Sequence, residues 1–235
     1  MRVLLLSGGV DSLCSAIKLQ SEGKEFTCLY VSLGHVYREA EEAAVTAIST
    51  RLEVPLTIID MPGVGTFEKA NAEIPCRNAL LITVAVMMGA DKVYMSIESG
   101  TTENESRDRG SSFRMDMGVL YSHLQDKDIR VYNLVEDMTK EDEMRYILNV
   151  REDGDELLSR TFSCYSGTSK PCGCCNACIR WFIAGYGVEV FRNDWLTPPE
   201  DSVTLQNYAR DVELGLYRGE RGKQYKKVFE KLCEK

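Results

Sequence analysis

This 235-residue chain has no uninterrupted apolar stretch approaching the roughly 20 residues that a membrane helix needs. It opens directly on a strand-like run, which leaves no room for a leader peptide, so a cytoplasmic location and no membrane partner are expected. A basic block is also missing: 28 Lys and Arg stand against 36 Asp and Glu, for a net charge of −8. Backbone binding to nucleic acid relies on clustered cations, so nucleic acid is not an expected partner. Only two histidines occur, His35 and His123, and both read as structural residues. There is no internal repeat. The exception to this sparseness is cysteine, with nine residues, five of them between 164 and 178.

The rest of the chain is organised around Leu4-Leu5-Leu6-Ser7-Gly8-Gly9-Val10-Asp11-Ser12. Arg2 to Leu6 fits a strand buried on both faces, and Val10 to Leu19 has helical spacing. Between them, two glycines let the backbone approach a ligand closely. Amides and hydroxyls at a helix N-terminus form an anion site. The loop contains no lysine and has neither Gly-x-x-x-x-Gly-Lys nor Gly-x-Gly-x-x-Gly spacing.

Further strands are predicted at Phe26 to Ser32, Leu56 to Asp60, Lys92 to Ile97 and Ile129 to Leu134. Helices are predicted at Val36 to Leu52, from Ile74 to Met88 and at Thr139 to Val150. On the first of these helices, Val36, Ala40, Ala43, Ala44, Ala47, Ile48 and Leu52 form the apolar stripe, while Arg38, Glu39, Glu41 and Glu42 face water. Strands alternating with helices imply a five-stranded parallel doubly wound α/β sheet, with ligands bound beyond the carboxyl ends of the strands. Residues 98–115 show no apolar period and read as a substrate loop. Ile179 to Val190 and Val203 to Leu232 read as helices, the last a docking or homodimer element.

Cys164, Cys172, Cys175 and Cys178 follow C-x7-C-x2-C-x2-C spacing. Four thiolates within fifteen residues can surround one tetrahedral Zn²⁺, with an iron–sulfur cluster as the rival. Four protein ligands leave no open position, so such a metal is structural and contributes folding energy. Cys174 is left out of the ligand set. Cys14, Cys28, Cys76 and Cys233 read as small apolar residues.

Ser7-Gly8-Gly9-Val10-Asp11-Ser12 resembles the pyrophosphate loop of the PP-loop ATP pyrophosphatase superfamily, whose members cleave ATP between the α and β phosphates and transfer AMP to a substrate oxygen. Ser163-Cys164-Tyr165-Ser166-Gly167 with Cys172-Gly173-Cys174-Cys175-Asn176-Ala177-Cys178-Ile179-Arg180 narrows the likeness. Joined by Ile74-Pro75-Cys76-Arg77-Asn78 and by Thr139-Lys140 with Glu143, these segments resemble the 7-cyano-7-deazaguanine synthase (QueC-like) family, collinearly from residue 1 to about 190. The resemblance implies an adenine nucleotide alpha hydrolase-like (HUP) domain over 1–155. It also implies a zinc knuckle with C-terminal helices over 156–235. The implied activity adenylates 7-carboxy-7-deazaguanine, forms the amide with ammonia and uses a second ATP to reach the nitrile, with ATP, Mg²⁺ and Zn²⁺ as cofactors. Ser7, Gly8, Gly9, Val10, Asp11 and Ser12 would hold the phosphates and Mg²⁺. Arg77 and Asn78 would approach the phosphates or the acyl-adenylate, with Lys140 near them; Asp11, Ser12, Arg77 and Lys140 form the expected catalytic set. A cation at a helix N-terminus opposes the macrodipole by about 0.3–1 kcal/mol unless an anion sits there, which supports this reading of Arg77.

The chain also departs from that family. Ser32-Leu33-Gly34-His35 replaces an Asp-Tyr-Gly-Gln-like segment, and Arg107-Asp108-Arg109-Gly110-Ser111-Ser112-Phe113-Arg114 replaces Asp-x-Ser-Gly-Tyr-Pro-Asp-Cys-Arg. Similar proteins occur in anti-phage (CBASS-type) operons, where an amine of a partner protein is the alternative acceptor. A tRNA-modifying PP-loop thiolase is the second alternative, and the acidic balance argues against it.

Overall fold

The computed structural model describes residues 1–69, 73–97 and 108–233. Its strands are β1 (Arg2–Leu5), β2 (Thr27–Ser32), β3 (Leu56–Asp60), β4 (Lys92–Met95) and β5 (Arg130–Asn133). They form one parallel sheet in the order β3-β2-β1-β4-β5. β1 is central, and the chain winds outward from it first on one side and then on the other. That reversal opens a crevice at the carboxyl end of β1, where the glycine-rich loop begins.

Helices cover both faces, which is why the inner strands are apolar throughout. Leu4, Cys28, Tyr30 and Tyr94 point to α1 (Val10–Ser21), α2 (Arg38–Leu52), α5 (Lys140–Val150), α6 (Gly154–Ser159) and α7 (Asn176–Val188). Val3, Leu29, Val31, Val93 and Met95 point to α3 (Arg77–Met87) and α4 (Ser111–Gln125). Beyond α7, α8 (Val203–Glu213) and α9 (Gly219–Cys233) pack around Tyr208, Tyr217 and Tyr225. Gly215, at φ +69°, separates these two helices within the segment expected to be helical from Val203 onward.

Several local expectations change. Residues 111–115 belong to α4 rather than to a long loop, while 98–107 lie outside the described residues. The helical period of α4 is blurred because Met115, Val119, Leu120 and Leu124 are exposed while Phe113, Met117 and Tyr121 pack inward. Val36 lies before α2 and is exposed; on α2 itself Ala43 is exposed, and Glu41 and Glu42 turn inward. The edge of β2 explains this: Tyr30 donates to Glu41 at 3.0 Å and Ser32 donates to Glu42 at 2.7 Å. Cys76 and Cys233 are exposed rather than packed, unlike the buried Cys14 and Cys28.

The turn after β2 depends on Gly34, at φ +83°. A Cβ there would lie 2.4 Å from the Pro62 carbonyl oxygen, so any side chain forces two backbone segments apart. Gly34→Ala is expected to destabilise the protein by about 2 kcal/mol. The corresponding drop in Tm is about 4–8 °C, read by thermal unfolding. Gly23 also has positive φ but open space around it, so Gly23→Ala should have the smaller effect.

Candidate active site

The loop leaving β1 is shaped from within. Ser12 Oγ donates to the Gly9 carbonyl at 3.0 Å and accepts from the Ser7 amide at 3.3 Å. Gly9 is the N-cap of α1 and provides no side-chain cap, so the first-turn amides remain available to an anion. The loop is pressed between two walls. A Cβ on Gly8 would sit 3.0 Å from Ala44 on α2, and one on Gly9 would sit 3.0 Å from Ser163 Oγ. Phe162 donates its amide to the Gly8 carbonyl at 2.8 Å, fixing that second wall.

Beyond the loop lies a cavity of about 250 Å³. Of the residues expected at the site, Ser7, Gly9, Asp11, Arg77, Asn78 and Lys140 line it. Gly8, Val10 and Ser12 are buried behind the loop and act through its shape. Arg77 opens α3 on the opposite wall, where Asn78 donates to the Asp108 carbonyl at 3.1 Å. A wider, open groove between α2 and β3 holds none of these residues.

Lys140 comes from the first turn of α5. Its position is set by a capping box: Thr139 accepts from the Asp142 amide, and Asp142 accepts from the Thr139 amide. Gln224 of α9 donates to Asp142 at 2.9 Å and accepts from Thr139 at 2.7 Å. So placed, Lys140 Nζ donates to Asp11 and lies 3.7 Å from the fully buried Glu143. Burial raises the Asp11 pKa, but the Lys140 cation, with help from Glu143 and Arg180, more than offsets this and holds it below 3.8.

Sequence reasoning missed Arg180, Arg109, His35 and Glu41, all of which line the same cavity. For Arg180 the available signal was its place two residues after Cys178, on the helix that leaves the cysteine cluster. His123 is exposed on α4, away from the core.

The four cysteine sulfurs Cys164, Cys172, Cys175 and Cys178 lie within 4.8 Å of one another. Cys172 and Cys178 are 3.8 Å apart, the edge of a tetrahedron with metal–sulfur bonds of about 2.3 Å. Backbone amides of Ser166 and Cys172 point at Cys164 Sγ, and those of Cys174 and Cys175 point at Cys172 Sγ, at 3.3–3.5 Å. Such donors favour thiolates. Hydrogen bonds from Cys175 and Cys178 hold the Cys164 thiol far below its ordinary range, while hydrogen bonding to Cys164 pushes Cys178 far up. Gly173, at φ +77°, makes the turn: its Cβ would collide with the Thr197 carbonyl. This cluster could bind zinc.

Residues 1–73 and 66–184 match the family model described as queuosine biosynthesis protein QueC. The chain belongs to the QueC family. It is 28% identical over 213 residues to a 7-cyano-7-deazaguanine synthase of Sulfolobus acidocaldarius, covering 78% of this chain and 45% of that protein. The corresponding enzyme of Saccharolobus solfataricus is 29% identical over 205 residues, covering 75% of this chain and 43% of that protein. The one of Nitratiruptor sp. is 26% identical over 207 residues, covering 75% and 89%. The chain thus spans less than half the length of the two archaeal relatives. Among the described residues no helix is long and apolar enough to cross a membrane.

In this QueC-family chain, the folded-state pKa of Asp11 lies below its ordinary 3.8. Its contribution to stability is therefore present above that pH and is lost as pH falls through the folded value. Lys140→Met removes the main offsetting cation and leaves the burial. Asp11 should then titrate above 3.8 in a carboxyl-carbon NMR titration; a value still below it would mean that Glu143 and Arg180 suffice.

Proposed function

We propose that this QueC-family chain is an ATP-dependent carbon–nitrogen ligase. In this reading it adenylates the carboxylate of 7-carboxy-7-deazaguanine, releases pyrophosphate and joins the acyl group to an amine. With ammonia the product is the amide, and a second ATP leads to the nitrile. The observation that carries the reading is the convergence of Arg77, Lys140 and Arg180 on a cavity floored by the uncapped N-terminus of α1. Three cations and a row of amides suit a polyphosphate that must be held while its α-phosphorus is attacked.

Ser7, Gly9 and the first-turn amides of α1 bind the phosphates. Arg77 offers a bidentate fork from the far wall, and Lys140 offers a point charge beside Asp11. Asp11 lines the cavity and offers carboxylate oxygens, the donors a hard divalent cation takes, with the buried Glu143 hydrogen-bonded behind it. Mg²⁺, when bound, supplies charge neutralisation to the leaving pyrophosphate. Asn78, buried and tied to Asp108, fixes the entry of α3 and so the aim of Arg77.

The four cysteines fit Zn²⁺ by donor type, spacing and amide donors. Zn²⁺, when bound, supplies folding energy to a glycine-rich segment. Cys175 is the N-cap of α7 and Cys178 lies in its first turn, so the cluster anchors the helix that carries Arg180. Among the described residues no cysteine lines the cavity, which supports the ligase over the tRNA-thiolating alternative.

Incubation with ATP, Mg²⁺, the carboxy-base and ammonium should yield AMP and pyrophosphate, with Asp11→Ala slowing release by about 10²–10³-fold. ADP and phosphate would contradict the reading. A co-expressed protein that gains the mass of the acyl-deazaguanine, in place of free amide, would assign the acceptor to a partner's amine.

The purified chain should hold about one zinc ion. Cys175→Ser should release it and lower Tm. Elemental analysis finding iron instead would assign a cluster of another kind.

A further inference from the structure

His35 has an environment that a purely structural role does not explain. It is 7% exposed, lines the cavity and has its Nε2 3.0 Å from Glu41 Oε2. The same carboxylate oxygen accepts from the Tyr30 hydroxyl at 3.0 Å. A carboxylate only accepts, so the His35 Nε2 carries the proton, and in the neutral ring Nδ1 holds the free lone pair. Nδ1 is buried and has no hydrogen-bond partner among the described residues. Leaving a buried polar nitrogen unpaired is costly, and a catalytic role is one of the functions such an atom serves in native proteins.

The surroundings fix the ring in place. Its face packs on Tyr37 with centroids 4.0 Å apart, and Tyr37 packs edge-on against Tyr165. Tyr37 donates to Glu68 at 3.3 Å and feels the charge of Arg77 from α3. The first turn of α2 lies against the phosphate loop, since a Cβ on Gly8 would sit 3.5 Å from the Glu41 carbonyl. The pair therefore stands beside the place where an acyl-adenylate would be formed.

We infer that His35, oriented by Glu41, is the general base that takes the proton from the attacking amine; this rests on the acyl-adenylate reading above. The amine lone pair forms the C–N bond. The bond between the acyl carbon and the AMP oxygen breaks, and its electron pair leaves with AMP. One N–H proton passes to His35 Nδ1. Glu41 stabilises the imidazolium so formed.

The test uses the full chain with ATP, Mg²⁺, 7-carboxy-7-deazaguanine and either ammonium or hydroxylamine as acceptor. Hydroxylamine is already unprotonated at neutral pH and sheds its proton without help. His35→Gln, which cannot accept a proton, should lower kcat for amide formation by about 10²-fold or more and affect hydroxamate formation far less. Glu41→Gln removes the anion that stabilises the imidazolium and should show the same selective loss. Equal losses with both acceptors, or no loss in either variant, would overturn the inference. A wild-type chain that forms no hydroxamate at all would instead overturn the adenylation reading, and this inference with it.

Discussion

A lysine ammonium held between two carboxylates is the interaction on which the rest of the structure turns. Asp11 sits at the start of the helix that follows the central strand, and Glu143 is fully buried one turn beyond Lys140. Burial alone would raise the pKa of Asp11, and the Lys140 cation is the largest of the influences that reverse this. The arrangement in turn fixes the docking of α5 against α1. It explains why so much capping is spent on one helix end, with Thr139, Asp142 and Gln224 locking the turn that carries Lys140. α9 thereby reaches back to the helix end that carries Lys140 to the cavity.

The second wall of the site is built by the cysteine segment. Phe162 and Ser163 press on the glycine loop, and the chain then passes through the four cysteines into α7, which delivers Arg180 to the same cavity. Arg192, lying 5.2 and 5.4 Å from the ring centroids of Trp181 and Trp195, donates to the Thr161 carbonyl and so ties this segment to the C-terminal region. The cysteine cluster and the glycine loop are thus linked through one short stretch of backbone.

The parts legible in the sequence are those whose physics is local. Arg2–Leu5 is apolar on both faces because helices cover both sides of its sheet. The serines and glycines of 7–12 announce a turn at a helix start, and four cysteines within fifteen residues can meet without knowledge of the fold. Features set by distant partners were not legible. Glu41 reads as a solvated helix residue until β2 and the turn after it place Tyr30 and His35 beneath it. Arg180 reads as one more charge until α7 turns it toward Asp11. Helix α4 hides because more than half of its apolar residues face outward.

The central claim is that a substrate carboxylate attacks the α-phosphorus of ATP in the cavity above Asp11. It is tested most directly with 7-carboxy-7-deazaguanine labelled with ¹⁸O at both carboxylate oxygens, incubated with the chain, ATP, Mg²⁺ and ammonium. Mass spectrometry of the nucleotide should find a single ¹⁸O in the phosphate of AMP and the other in the amide. Label retained at both positions of the carboxylate, or found in phosphate or pyrophosphate, would contradict the account.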